Sequence, residues 1–188
     1  MIKSKKLSQF YNIKHAFFNK FGKESKEIYK SLNCGIGSSD KNANIKKNLN
    51  IISKKFSINK NKIVLLNQIH SNKFFLIDKK FNSIKTRHKG DALITHQRKI
   101  ALGILTADCA PVFIYDKNKN IISAIHAGWK GAYKDIVKKV VKHILKFGSK
   151  PKDLIAVIGP CISIKNYEVK KNFKDKFLKK NKNKKVFF

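Results

Sequence analysis

Cysteines, acidic residues and long apolar runs are all scarce in this sequence. Only three cysteines occur among 188 residues, and such an odd, sparse set argues against a disulfide framework and for reduced thiols in a cytosol. The longest apolar run, Ile100 to Tyr115, is too short for a membrane span and contains Asp108 and Pro111. The opening residues lack the apolar stretch and cleavage site of a secretory signal. We therefore expect a cytoplasmic protein without a membrane partner.

The shortage of acidic residues leaves 43 Lys+Arg against 11 Asp+Glu and a formal net charge of +32. A charge of this size is typical of nucleic-acid binders. The basic residues are nearly all lysine, however, and they are spread along the chain with Asn and Ile outside any recognised nucleic-acid motif. We interpret them as a compositional bias and expect no specific nucleic-acid partner. A non-catalytic, basic nucleic-acid binder stays open as a second alternative function.

Hydrophobic patterning predicts an α+β fold in a single domain over residues 1–169, followed by a Lys/Asn-rich tail over 170–188. Strands are expected at 15–18, 62–68, 74–77, 91–95, 100–105, 112–115, 121–125 and 154–158. Helices are expected at 24–32, 41–56 and 132–147. The tail ends on the apolar residues Val186 to Phe188, which suggests a strand cut off before its partners and hence a truncated chain.

Three polar side chains interrupt apolar strand ends. They are His70 after VLLNQI, Cys109 in LTADCAPV and His126 in ISAIHAGW. One cysteine and two histidines suit zinc, and three protein ligands leave a fourth position open for water or substrate, as in catalytic sites. Spacing alone is weak evidence because no CxxC or HExxH motif joins two of the ligands, and a single histidine is more often a core or surface residue. The trio forms our hypothesis for a metal site.

Five segments together resemble the YfiH family of laccase-domain or "polyphenol oxidase" proteins, which are regarded as purine nucleoside phosphorylases. These segments are QIHS (68–71), GDALIT (90–95), LTADCAPV (105–112), HAGWKG (126–131) and IGPCISIKNYEV (158–169). The resemblance implies zinc on His70, Cys109 and His126. It also implies phosphorolysis of adenosine, inosine, guanosine and methylthioadenosine, together with adenosine deamination. The implied fold is a sandwich of mixed β-sheets with flanking helices.

Two departures from the family pattern affect these expectations. Lys130 stands where the family usually has Arg, which keeps the positive charge but loses bidentate geometry. The family also continues beyond this chain, with a Cys-Thr segment and a Ser-Tyr-Arg-Arg segment. We therefore expect an incomplete enzyme that forms its metal site but turns over weakly or not at all. The alternative is a naturally short member that closes its pocket by pairing two chains, so either a monomer or a homodimer is expected.

Four further side chains are candidates for roles in catalysis or substrate binding. Asp108 either orients a ligand or moves a proton, or it stabilises a turn. Lys130 is expected to hold phosphate, and Trp129 either stacks on a purine or packs in the core. Gln68 either binds substrate or satisfies backbone groups. Cys161 could lie near the metal, but we expect it to be a buried thiol.

The composition also bears on competing activities. Six histidines are too few for a multicopper cluster, and the single methionine, Met1, provides no axial ligand for a blue-copper site. Copper could still occupy the site in vitro, because it outcompetes zinc for most ligand sets. The first alternative function is a Cys–His hydrolase with Cys109 as nucleophile and His126 or His70 as base. A peptidoglycan-precursor editing enzyme, suggested by related members, belongs with it. The preferred partners remain nucleosides and phosphate.

Overall fold

The structure is a computed structural model that describes residues 1–21, 24–30, 32–78 and 87–180. Within these ranges the chain forms short helices and strands in a mixed α+β arrangement, which confirms the predicted fold class. The strands are β1 (Ile63–Val64), β2 (Phe74–Ile77), β3 (Ala92–Thr95), β4 (Ala101–Leu102), β5 (Ala110–Asp116), β6 (Ile121–Ala127) and β7 (Leu154–Ile158). The α-helices are α1 (Lys5–Ser8), α2 (Asn42–Phe56), α3 (Trp129–Tyr133), α4 (Ile136–Leu145) and α5 (Lys171–Lys180). No described helix has both the length and the apolar composition needed to cross a bilayer.

The main sheet has five strands in the order β2-β3-β6-β5-β7. Its neighbouring strands are antiparallel except β2 and β3, which run parallel. β5 and β6 form its centre as a hairpin in which Ala110 lies opposite Ala127 and Asp116 lies opposite Ile121. A second, two-stranded sheet pairs β1 with β4 in parallel. Because β5 and β6 are the longest strands and are paired on both sides, they give the site described below a rigid base.

Alternation along the strands gives the main sheet two apolar faces. On one face, Ile94, Ile114 and Ile125 pack against the buried stripe of α4, in which Val140 and Ile144 recur at helical spacing. On the opposite face, Leu93 and Ile77 pack against Val64 and Leu66. The small sheet therefore covers part of the large one, as expected for a sandwich, while α4 covers the other side.

The N-terminal segment covers another part of this second face. The ring of Phe17 stacks on Phe113 at a centroid distance of 4.6 Å, and Phe10 meets Tyr115 edge-on at 5.2 Å. A cavity of about 1110 Å³ lies between this segment and the sheet, and its wall reaches residues 104–107. The three candidate metal ligands are absent from its lining. The proposed chemistry is therefore placed outside this space.

Several predicted elements are shorter than expected. The strands predicted at 62–68 and 100–105 reduce to β1 and β4, and the strand at 15–18 reduces to one bridge between Ile2 and Phe17. Of the helix predicted at 24–32, the described residues keep only a 3₁₀ turn, Glu27–Tyr29. The helix predicted at 132–147 is two helices, because Asp135 adopts a left-handed conformation with φ 58° and ends the first. Part of the predicted tail forms α5, while 181–188 lies outside the described residues.

Candidate metal centre

The central hairpin brings two of the three predicted ligands together. Cys109 immediately precedes β5, and His126 is the penultimate residue of β6. The antiparallel register sets Pro111 opposite His126, so that the start of β5 lies beside the end of β6. His70 reaches the same place from the loop between β1 and β2. Three separate loops and strand ends therefore converge on one point, as the sequence predicts.

The potential ligand atoms of His70, Cys109 and His126 all lie within 4.8 Å of one another. The Cys109 Sγ and His70 Nε2 atoms are 3.8 Å apart, and the two imidazole centroids are 4.8 Å apart with an interplanar angle of 75°. In a tetrahedral zinc site with ordinary bond lengths, ligand atoms lie about 3.3–3.6 Å apart. The trio is therefore close to the spacing that a metal ion needs. His126 is buried, Cys109 is half-buried and His70 is exposed, so the site opens to solvent on the His70 side.

A buried aspartate, Asp91, holds the loop that carries His70. Its carboxylate accepts hydrogen bonds from the main-chain N–H groups of His70 at 2.9 Å, Ser71 at 2.6 Å and Ile69 at 3.4 Å, and from the Ser71 hydroxyl at 2.7 Å. His70 has a left-handed backbone with φ 54°, which is unfavourable for a residue with a Cβ. The hydrogen bonds to Asp91 stabilise this turn and direct the His70 ring toward Cys109.

The same carboxylate orients His126. Its Oδ1 atom lies 2.8 Å from His126 Nδ1, with Asp91 fully buried and His126 only 4% exposed. Burial alone would raise the pKa of Asp91, but hydrogen bonds from His126 and Ser71 outweigh it and lower the pKa below the ordinary value. An ionised carboxylate only accepts hydrogen bonds, so Nδ1 carries the proton. In a neutral ring, Nε2 is then the nitrogen with a free lone pair, the form that binds metals.

Gly128 gives the site its close packing. A Cβ at this position would lie 2.7 Å from His70 Cδ2 and 3.1 Å from Cys109 Sγ, both inside normal contact distance. The glycine is the N-cap of α3 with φ −69° and ψ 162°, a conformation open to any residue. The space around the ligands, rather than the backbone conformation, therefore requires glycine here.

Gln68 and Asp108 lie in the chain segments next to the ligands. Gln68 uses both ends of its amide on the main chain of Leu105, donating to its carbonyl at 2.7 Å and accepting from its N–H at 2.8 Å. This pairing favours the backbone-satisfying alternative, and a role in substrate binding stays a prediction. Asp108 is exposed, and its carbonyl accepts a hydrogen bond from the N–H of Ile162. Burial, followed by the charges of Asp108 and Asp91, raises the pKa of the Cys109 thiol.

Trp129 and Lys130 begin α3, directly after the ligand-bearing strand. The indole is half-buried and meets Phe173 of α5 edge-on at a centroid distance of 5.1 Å. The Lys130 Nζ lies 5.6 Å from the indole centroid, and that of Lys176 lies 6.0 Å away. Trp129 therefore joins α3 to α5, in line with the packing alternative, while purine stacking stays a prediction. Lys130 itself is exposed, as a side chain that receives an anion must be.

Sequence reasoning did not single out Asp91, Gly128 or Tyr167. The available signal for Asp91 was one acidic residue directly before a strand whose four residues are all buried. Tyr167 belongs to the 158–169 motif, and burial together with the Cys109 charge raises the pKa of its phenol. One expectation was wrong: Cys161 is exposed, because it follows the end of β7 in a surface segment after Gly159.

Comparisons with known proteins agree with this picture. The sequence profile of the family described as multi-copper polyphenol oxidoreductase laccase matches residues 14–188. A Bacteroides thetaiotaomicron protein named purine nucleoside phosphorylase is 34% identical over 186 residues, covering 95% of this chain and 69% of the relative. A Bacillus subtilis protein, purine nucleoside phosphorylase YlmD, is 34% identical over 160 residues, covering 81% of this chain and 58% of the relative.

Solved structures show the same fold. The crystal structure of Bacillus licheniformis YfiH superposes with a TM-score of 0.79 at 30% identity, covering 84% of this chain and 61% of that one. YlmD from Geobacillus stearothermophilus gives a TM-score of 0.78 at 26% identity, with the same coverage. The chain thus spans between 58% and 69% of the length of these four proteins. On sequence and structure together, the chain belongs to the laccase-like YfiH family.

Proposed function

We propose that this protein is a zinc-dependent purine nucleoside phosphorylase that also deaminates adenosine. The observation that carries the proposal is the convergence of His70, Cys109 and His126 within 4.8 Å at a site open to solvent. The names of the B. thetaiotaomicron and B. subtilis relatives support the phosphorylase activity. Adenosine, inosine, guanosine and methylthioadenosine are the proposed nucleosides. All three cysteines are free, which is compatible with the proposed cytosolic location.

Zinc suits this donor set better than a harder cation does, because one thiolate and two imidazoles are soft to borderline ligands. When bound, zinc would supply Lewis acidity to a group in its open position. Copper remains the competitor in vitro, since the same ligands also suit it. The choice between the two metals is part of the proposal and is settled by the metal content of the purified protein.

The side chains around the site divide the proposed chemistry between them. His126 is kept in one tautomer by Asp91, so the proton on its Nδ1 stays in place while Nε2 is left to bind the metal. We assign to exposed Lys130 the holding of phosphate, because phosphorolysis needs an anion beside the ribose. Asp108, exposed next to Cys109, is the proposed group for moving a proton. Trp129 and Gln68 are proposed to bound the nucleoside pocket.

The first alternative, a Cys–His hydrolase, is favoured by the 3.8 Å approach of Cys109 Sγ to His70 Nε2. A nucleophilic cysteine works as a thiolate and normally sits where positive groups lower its pKa. Here burial and two carboxylates raise the pKa of Cys109, which disfavours a free nucleophilic thiolate. A metal ligand does not need a low pKa beforehand, because a bound cation itself deprotonates the thiol. No contact within the described part of the chain specifically supports the peptidoglycan-editing or the nucleic-acid alternative.

The test measures metal content and nucleoside products for the purified chain and for three variants, His70→Ala, Cys109→Ala and His126→Ala. We expect near-stoichiometric zinc in the parent protein and its loss in each variant, because each removes one of three ligands. His96→Ala, which changes an exposed histidine outside the trio, is the control and should keep its zinc. Metal retained in all three ligand variants would contradict the site.

The products then separate the two activities. Free base that forms only with added phosphate indicates phosphorolysis, whereas inosine formed from adenosine without phosphate indicates deamination. A zinc-loaded protein that neither binds these nucleosides nor yields either product would contradict the nucleoside assignment. A metal-free protein that cleaves its substrate and is inactivated by alkylation of Cys109 would instead establish the Cys–His hydrolase.

A further inference from the structure

We propose that Asp91 is a positioning residue that sets the geometry of two metal ligands before the ion arrives. The inference rests on the metal site of the proposed function and concerns how that site is built. Asp91 is fully buried directly before β3, and its carboxylate accepts hydrogen bonds from both histidine segments. Its own position is outside the ligand trio.

A single oxygen atom joins the two histidines. Asp91 Oδ1 accepts from the main-chain N–H of His70 at 2.9 Å and from the Nδ1 atom of His126 at 2.8 Å. The second oxygen, Oδ2, accepts from the N–H of Ser71 at 2.6 Å and from its hydroxyl at 2.7 Å. Any shift of this carboxylate is therefore transmitted to the backbone of one ligand and to the ring of the other.

The aspartate is itself held at both main-chain groups. Its N–H donates to the carbonyl of Lys73 at 2.9 Å, and its carbonyl accepts from the N–H of His126 at 2.7 Å. The carboxylate therefore cannot readily follow a moving ligand. A rigid, buried acceptor of this kind gives a metal site its order in the metal-free protein, and such outer-shell partners typically contribute a factor of 10–100 to metal affinity.

The chemistry of the carboxylate matters as well as its shape. In Asp91→Asn, one oxygen becomes an NH₂ group that can only donate. If the NH₂ group replaces Oδ2, it faces the N–H of Ser71, so that two donors meet without an acceptor. If it replaces Oδ1, it faces the N–H of His70 and forces the proton of His126 from Nδ1 to Nε2, which removes the lone pair from the metal side. Either orientation disturbs a ligand while preserving the side-chain volume.

The experiment compares Asp91→Asn with a matched control, Asp116→Asn. Asp116 is also fully buried and also accepts main-chain N–H groups, from Asn118 and Lys119, but it lies at the opposite end of β5, about 20 Å away along the strand. Zinc affinity is measured by competition with a chromogenic chelator. We expect Asp91→Asn to bind zinc 10–100-fold more weakly and Asp116→Asn to bind it like the parent.

A second measurement does not need the metal. Nitrogen-15 NMR of the metal-free protein reports which ring nitrogen of His126 carries the proton. We expect the Nδ1-protonated form in the parent and in Asp116→Asn, and an increased share of the Nε2-protonated form in Asp91→Asn. This readout keeps the two proposals separable, because failure of the parent to bind zinc would contradict the proposed function while the tautomer still tests Asp91.

Three results would overturn the positioning role. One is unchanged zinc affinity in Asp91→Asn. Another is an equal loss in Asp116→Asn, which would reduce the effect to general fold stability. The third is an unchanged His126 tautomer in Asp91→Ala, which removes both carboxylate oxygens and therefore the acceptor of the His126 Nδ1 proton. Ser71→Ala provides a graded check, because it removes only one of the hydrogen bonds to Asp91 and should weaken zinc binding less than Asp91→Asn does.

Discussion

Replacing Gly128 by alanine should weaken metal binding without unfolding the protein. The backbone at this position, φ −69° and ψ 162°, is open to alanine. Without any steric clash, the substitution would stabilise the fold by about 0.4–1 kcal/mol, because alanine restricts the unfolded chain more than glycine does. The new Cβ would lie 2.7 Å from His70 Cδ2, where carbon atoms normally stay about 3.5–4.0 Å apart. His70 is exposed, so its ring is free to turn away in the metal-free protein.

The size of the expected loss in zinc affinity follows from the displacement of the His70 ring. The ring must move by about 0.8 Å or more to restore normal contact, whereas metal–ligand distances tolerate about 0.2 Å. His70 would therefore cease to be a good ligand, and we expect zinc affinity to fall by about 100-fold or more. At a zinc concentration about 1,000 times the parent Kd, zinc stabilises the parent by about 4.1 kcal/mol, and a 100-fold loss removes about 2.7 kcal/mol of it. That corresponds to a Tm about 5–11 °C lower in the presence of zinc.

Thermal unfolding in chelator measures the stability of the metal-free protein. Thermal unfolding in zinc measures the stabilisation that the metal adds. Gly128→Ala should match or slightly exceed the parent Tm in chelator and lose most of the zinc-dependent increase. Gly103→Ala is the control, because its Cβ would clash with the Leu65 side chain away from the ligands. It should unfold earlier in chelator yet keep the full increase with zinc. An intact zinc-dependent increase in Gly128→Ala would refute the reasoning, as would a metal-free protein destabilised as much as Gly103→Ala.

Two further predictions concern the phosphate side chain and a buried thiol. Lys130→Ala should reduce phosphate-dependent product formation from adenosine more than deamination, because only phosphorolysis needs an anion held beside the ribose; equal losses in the two assays would contradict this role. Burial raises the pKa of Cys34 to about 11 from an ordinary value of 9.0, so its contribution to stability is fully present below about pH 9 and is lost as the pH rises toward 11. The loss is at most about 2–3 kcal/mol. Urea unfolding should therefore show a steeper decline above pH 9 in the parent than in Cys34→Ala, and parallel curves would rule the effect out.

The strands of the central hairpin and the helix α2 were predictable because their patterns are local. Alternation and the long apolar run mark β5 and β6, and helical spacing marks α2. The break between α3 and α4 was not predictable in this way. The break depends on the left-handed backbone of Asp135. Glycine and asparagine are the residues that usually mark such a conformation, and neither stands at this position. The exposure of Cys161 likewise depends on how the chain leaves β7, which composition does not encode.

The three candidate ligands were predictable from chemistry and resemblance, but the residues that support them were not. His70, Cys109 and His126 are reactive residue types at strand ends, so they are visible in a sequence. Asp91 looks like an ordinary turn aspartate until the fold brings Ser71 and His126 against it. Gly128 is similar, because its importance comes from the empty space that two distant side chains require. Such supporting roles arise from contacts between segments far apart in the chain.

The convergence of three separate segments also has a consequence for folding kinetics. An unfolded chain would have to close two long loops to bring His70, Cys109 and His126 together, and each closure carries an entropic cost. Zinc should therefore bind after the main sheet has formed and leave the refolding rate nearly unchanged. Its stabilisation would then fall on the unfolding rate. Zinc would thus lengthen the lifetime of the folded chain without accelerating its folding.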